Sequence, residues 1–286
     1  MLQSDVYQSP LVARNASREM AELFGARRRI LTWRRLWLAI AVAQRRLGLA
    51  VSDAQIRQLE STLEQIDFDA AARHEKKLRH DVMAHLHAWG DVAPDARGIL
   101  HVGCTSATIV DNADLVLMRD AMIHLAGWLA NAVDALGAFA MEHRSLPTLG
   151  YTHYQAAQVT TVGKRAATWC WDFTRDLSEI EHRLATLRFR GIKGTTGTQA
   201  SFLTLFGGDD AKVLALEREV AGAFGFERVE PVTGQTYSRK VDAEVVSTLA
   251  GIAASVHKFA NDVRLLANLK EIEEPFETSQ VGSSAM

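Results

Sequence analysis

A few short polar clusters hold the side chains best suited to acid–base chemistry or anion binding. Gly103-Cys104-Thr105-Ser106 precedes Asp111-Asn112. Hydroxyls and free backbone N–H groups near a helix start form a site for carboxylate or phosphate, whereas Asp111 reads as a helix N-cap. In Gly150-Tyr151-Thr152-His153-Tyr154-Gln155, His153 suits either capping at a loop–helix junction or general acid–base work near neutral pH. Arg79-His80-Asp81 closes the basic run 74–80, which would also serve as a solvated charged face. His85 and His87 do not share a helical face with His80, so the spacing gives no metal site.

Two further islands exceed what a chain reversal needs. The run from Gly191 to Ser201 carries three glycines (191, 194, 197) and three threonines (195, 196, 198) but does not match a P-loop. Thr233-Gly234-Gln235-Thr236-Tyr237-Ser238-Arg239-Lys240 is similar in kind. Near the end, Gly282-Ser283-Ser284-Ala285-Met286 has the composition of a mobile loop with candidate nucleophilic hydroxyls. Together they fit the polar walls of one cleft.

Positioning these clusters falls to long helices. Apolar positions step by three or four over 111–143 (Leu115, Met118, Met122, Leu125, Leu129), over 155–188 (Val159, Val162, Ala166, Trp169, Phe173) and over 239–270 (Val241, Val245, Leu249, Ile252, Val256). Three such stripes in succession predict an elongated helical bundle with outer faces that need burial against other copies. Shorter helices are predicted over 30–49, from an N-cap at Ser52-Asp53, and over 68–89 ending at Gly90. The fold class is all-α, with a small N-terminal helical domain at 1–110 and a long-helix bundle at 111–286. No segment shows strand alternation. The five prolines punctuate elements.

Composition narrows the class of function. The chain is 48% hydrophobic and 23% charged, with a formal net charge of −2, which gives no footprint for nucleic acid or an anionic membrane. The most apolar stretch is expected near 36–43, too short and too closely flanked by arginines to span a bilayer, and residues 1–10 lack a signal-peptide core. Two distant cysteines, Cys104 and Cys170, suit reduced thiols and a cytoplasmic protein.

Taken in order, the clusters resemble the three signature segments of the fumarase/aspartase superfamily of lyases: 103–112, then Thr152-His153-Tyr154-Gln155 with Ala157, then 282–286. Within it the chain resembles the adenylosuccinate lyase family through Arg79-His80-Asp81-Val82-Met83-Ala84-His85, the stretches 193–202 and 233–240, and Ser9-Pro10-Leu11 with Arg14. The resemblance implies β-elimination of fumarate from adenylosuccinate and from the succinylated aminoimidazole carboxamide ribonucleotide. It implies no metal or organic cofactor, and a homotetramer with sites shared between subunits. Another fumarate-releasing lyase, argininosuccinate-cleaving for example, and a silent helical scaffold are the alternatives.

The same resemblance supplies roles. His153 is the implied acid and Ser283 the implied base, its alkoxide stabilised by neighbouring positive charge and donors. Thr105, Ser106 and Thr152 would hold the succinyl carboxylates. Arg14, Asn15, Arg79, His80 and Asp81 would line the nucleotide, with Gln235 a further contact. Asn15 stands where that family carries an aromatic residue. The family's loop continues past the position of Met286 into further helices. The expectation is therefore a bundle incomplete at its C-terminal end, belonging to a longer enzyme and inactive as 286 residues alone.

Overall fold

The computed structural model describes residues 7–273, 278, 279 and 281. Ser283 and the rest of the third signature segment, 282–286, lie outside the described residues. Helices dominate, as the apolar stripes predict. The described chain divides into two compact units, one built from Met1–Leu125 with Leu184–Ala243, the other from Ala126–Arg183 with Glu244–Met286. The contacts thus cut the chain differently from the expected 1–110 and 111–286, because 184–243 folds with the N-terminal helices.

The first unit opens with a π-helical turn, Leu11–Asn15, and a short helix α1 (Arg18–Leu23) capped by the Ser17 hydroxyl. α2 (Ala26–Arg46) buries Trp33, Leu36, Trp37 and Ile40, spaced three or four apart so that they share one face. α3 (Asp53–Thr62) begins with a full capping box, Ser52 and Gln55 each bonding the other's backbone N–H. At its far end the buried Arg34 guanidinium donates to the carbonyls of Thr62, Leu63 and Gln65, and its plane lies over the Trp89 ring. Thr62 also accepts a turn bond from the Gln65 N–H (3.0 Å), and the cation meets the remaining acceptor capacity at this helix end. Burial pulls the Arg34 pKa down to about 10.

The helix predicted over 68–89 is two: α4 (Phe68–Leu78) and α5 (Asp81–Val92). The break falls at Arg79, which is left-handed (φ 54°), and His80, which caps α5. A glycine-free break leaves no signal in composition. The two histidines set aside as metal ligands have structural neighbours. His85 packs edge-on to Trp33 and Phe68, and His87 Nδ1 lies 2.6 Å from the Arg97 guanidinium. A 3₁₀ turn, Pro94–Ile99, leads to α6 (Ser106–Glu142), 37 residues long. This helix starts five residues before the expected Asp111, so Asp111 is a buried helix-interior residue and not an N-cap. After Phe189 pairs with Val229, α8 (Ala200–Leu205) and α9 (Asp210–Ala223) complete the unit, and Phe189, Phe224 and Phe226 stack together.

In the second unit, residues 147–161 form an antiparallel hairpin, β1 (Pro147–Thr152) and β2 (Gln155–Thr161), with a bulge at Gly150. α7 (Val162–Thr186) therefore begins at Val162 and not near Gln155. The absence of alternation misled because both faces of the hairpin are largely exposed, so no burial pattern is imposed on its sequence. α10 (Lys240–Asn268) matches the predicted 239–270 stripe. Trp169 on α7 packs against Leu266 and Phe259 of α10 and donates its indole N–H to Asp262 (2.8 Å).

Candidate functional site

The first unit brings four of the predicted segments together. Thr105 is buried, and its hydroxyl accepts from the Gln235 side-chain amide at 2.9 Å, across 130 positions of sequence. Ser106, at the first residue of α6, has its hydroxyl 3.1 Å from His80 Nε2. His80 Nδ1 accepts the Met83 backbone N–H (3.4 Å), a bond that fits the tautomer with Nε2–H facing Ser106. Asp81 lies 3.6 Å from Nδ1. Arg79, next in sequence, is exposed and has a left-handed backbone. Exposed cationic and hydroxyl groups with a helix start behind them suit an anionic ligand.

The loop between α7 and α8 is fixed behind this cluster. Thr108 Oγ1 accepts the Thr105 N–H (3.1 Å) and donates to the Lys193 carbonyl (2.9 Å). Asn112 donates to the carbonyl of Gly191 (3.1 Å). Ser201 Oγ donates to the Gly103 carbonyl at 2.8 Å. Gly197 has φ +78°, and a Cβ there would run into the Thr233 carbonyl, so the glycine is needed where the two loops touch. The segment 233–240 is anchored by Asp111, which accepts the Tyr237 N–H (2.8 Å) and pairs with Arg239 (3.2 Å). Burial acts to lower the Arg239 pKa, but Asp111, Tyr237 and Asp242 outweigh it and raise it. Cys104 is pushed up to about 12 by burial, so its thiol stays protonated.

The other predicted residues belong to other segments. Arg14 and Asn15 occupy the exposed π-helical turn; the Asn15 side chain bonds the Pro10 carbonyl (3.5 Å), and the Arg14 side chain makes no hydrogen bond or ion pair among the described residues. In the second unit Thr152 ends β1, and His153 is exposed at the hairpin turn, not at a loop–helix junction. His153 and Tyr154 both have positive φ (49° and 58°), the backbone of a tight two-residue hairpin turn normally filled by Asn and Gly. Left-handed conformations are uncommon for bulky side chains and tend to be retained at functional positions. Thr152 and Tyr154, but not His153, line a groove of about 740 Å³ with Arg165, Trp169, Asp262 and Leu266. Arg190 and Glu217, which the sequence does not single out, shape the first-unit site together with Thr108 and Asp111 of the 103–112 segment, the latter as a buried acceptor and not a cap. Neither Arg190 nor Glu217 belongs to a periodic or motif pattern. Only the unusual cost of burying Arg190 and Glu217 marks them, and that is invisible before folding.

Comparison with known proteins places this geometry. A family described as Lyase matches residues 41–286, most of the chain. The chain belongs to that lyase family. This lyase chain is 52% identical over 283 residues to the adenylosuccinate lyase of Schizosaccharomyces pombe, covering 98% of this chain and 59% of that protein. It is 51% identical over 285 residues to the adenylosuccinate lyase of Saccharomyces cerevisiae, with 99% and 59% covered. The chain thus spans about three fifths of the curated relatives it matches. Among solved structures, a fumarate lyase from Mesorhizobium sp. BNC1 superposes with TM-score 0.77 at 26% identity, covering 93% of this chain and 60% of that one. A β-carboxy-cis,cis-muconate cycloisomerase from Acinetobacter calcoaceticus shares the fold at TM-score 0.77 and 24% identity, covering 90% of this chain and 59% of that one.

Proposed function

We propose that the full-length protein carrying this chain is an adenylosuccinate lyase. It eliminates fumarate from adenylosuccinate to give AMP, and from the succinylated aminoimidazole carboxamide ribonucleotide in purine nucleotide biosynthesis. The names of relatives at 51–52% identity support the substrate. The observation that carries the chemistry is the convergence of Gln235 on Thr105 and of His80 on Ser106. These pairs offer directional donors to a dicarboxylate whose negative charge grows in the transition state.

In this reading a base takes the proton from the carbon beside a succinyl carboxylate. The electron pair forms the fumarate double bond, the C–N bond breaks, and an acid protonates the leaving nitrogen. His153 is the acid and Ser283 the base. Thr105, Ser106 and Thr152 hold carboxylates, and Gln235 adds a further contact. Arg14, Asn15, Arg79, His80 and Asp81 serve the nucleotide. His153 being exposed at a two-residue turn with a left-handed backbone supports its availability to a ligand.

Association into a homotetramer with shared sites is supported by the outer faces of the long helices, where Ile123, Trp128, Phe139, Trp171, Val246, Leu249 and Val256 are exposed. α6 is also long and apolar enough to cross a membrane by length and composition. We read that apolar surface as packing against other copies of the chain and not against lipid. Cytoplasmic location is supported by the two free thiols.

Fumarate release from adenylosuccinate and from argininosuccinate, measured side by side on the full-length protein, tests the substrate. Turnover of argininosuccinate alone would overturn it. Replacing His153 by Ala should lower kcat by about a hundredfold or more, the usual scale for a lost general acid. An unchanged rate would remove the assignment.

A further inference from the structure

Arg190 has no exposed surface and, among the described residues, no carboxylate partner within ion-pair distance. Its guanidinium is instead spent on backbone carbonyls. Nε and Nη2 both donate to the Gln235 carbonyl, at 3.0 and 2.6 Å. Nη1 donates to the carbonyls of Lys193 (2.9 Å) and Gly191 (3.3 Å), and Nη2 reaches that of Gly194 (3.3 Å). Burial lowers its pKa from the ordinary arginine value while the nearby Asp111 opposes the shift. A cation held at that cost by neutral acceptors alone must be fixing something.

What it fixes is a closed circuit. Arg190 grips the backbone of Gln235, whose side chain donates to Thr105 Oγ1 at 2.9 Å. The Thr105 N–H returns through Thr108 Oγ1 to the Lys193 carbonyl, which Arg190 also holds. Two segments that are 130 positions apart are thus set in register by one planar fork. Lysine cannot replace it, because an ammonium lacks the fixed geometry that spans several carbonyls.

We propose that Arg190 is a positioning residue for substrate binding, acting through Gln235 to aim the Thr105–Gln235 pair at a carboxylate. It does not touch substrate. This rests on the reading that the site cleaves adenylosuccinate.

A double-mutant cycle on the full-length protein tests it. Arg190→Lys should lower kcat/KM for adenylosuccinate about tenfold, the scale of one lost hydrogen bond to a charged group. In a Gln235→Ala background, where the side chain it aims is gone, the same change should alter kcat/KM by less than about twofold. Equal losses in both backgrounds would overturn the proposal, since a purely structural arginine gives additive effects. Amide hydrogen exchange is a second readout that needs no turnover. Arg190→Lys should speed exchange at residues 103–106 and 233–237 relative to the rest of the first unit, and unchanged exchange there would overturn it too. If the unmodified protein releases no fumarate from adenylosuccinate, the functional reading falls by itself and exchange decides the circuit. Should Arg190→Lys not fold, Arg190→Gln carries the same cycle, and failure of both to fold makes Arg190 structural only and ends the proposal.

Discussion

Removing the ammonium of Lys193 should destabilise the first unit far more than a surface lysine would. Lys193 and Glu217 pair at 2.9 Å with side chains only 7% and 8% exposed. The ammonium uses all three protons, on Glu217 Oε1, the Arg190 carbonyl (3.1 Å) and the Glu230 carbonyl (2.9 Å). Glu217 Oε1 also accepts the Ile192 N–H at 2.9 Å. Lys193→Met leaves the carboxylate buried with that single donor, and breaking one side of a buried pair costs about 3–5 kcal/mol. For a unit of this size that lowers the melting midpoint by about 10 °C. Glu217→Met strands the ammonium in the same way. The double replacement loses both charges together, so its loss should fall short of the sum of the single losses by about 2 kcal/mol or more. Urea and thermal unfolding of the full-length protein, followed by tryptophan fluorescence, measure all three, because Trp33, Trp37 and Trp89 report on the same unit. Losses that add within about 0.5 kcal/mol would refute the reasoning. So would a Lys193→Met midpoint within about 3 °C of the unmodified protein.

His101 accepts the Trp37 indole N–H at Nδ1 (3.0 Å), and burial lowers its pKa to about 4. The unfolded chain therefore binds this proton first as pH falls below about 6.5, and stability drops between there and about 4, by at most about 3 kcal/mol. His101→Gln should flatten that limb of the stability–pH curve; an unaltered limb would exclude His101 as its source. Gly197→Ala forces a Cβ into the Thr233 carbonyl at φ +78° and should cost more than about 2 kcal/mol, with a matching fall in kcat/KM. Gly207→Ala, at φ +63° with nothing within 4 Å of its added Cβ, should cost only about 1 kcal/mol. Equal losses in thermal melts would show that loop contact at Gly197 is unimportant. Trp169→Phe should cost about 1–2 kcal/mol through its lost bond to Asp262, without altering the circular dichroism at 222 nm. A loss of helical signal would place the tryptophan's role in packing instead.

Helix content and several boundaries were legible because they depend on neighbours in sequence. The stripe over 239–270 became α10, and Ser52-Asp53 became a capping box, since both signals act within one or two turns. The hairpin at 147–161 escaped because its two exposed faces demand no apolar alternation, and because His153-Tyr154 replaces the usual turn residues. The break at Arg79 escaped for a related reason, since a left-handed arginine looks like any other in a string. Asp111 was misread because an acceptor for a local helix N–H and an acceptor for a distant Tyr237 N–H require the same side chain.

For the site, residue types near turns marked out Thr105, Ser106, His80 and Gln235 as polar groups in excess of structural need. Which of them meet was decided only by folding. The Gln235–Thr105 and His80–Ser106 contacts join segments 130 and 26 positions apart. The cation that holds the first pair, Arg190, is tolerable only once burial has lined up carbonyls to receive it. Local stereochemistry writes helices and caps into short stretches of sequence. Long-range pairing depends on which backbone groups packing strips of water, and that is settled by the whole unit at once.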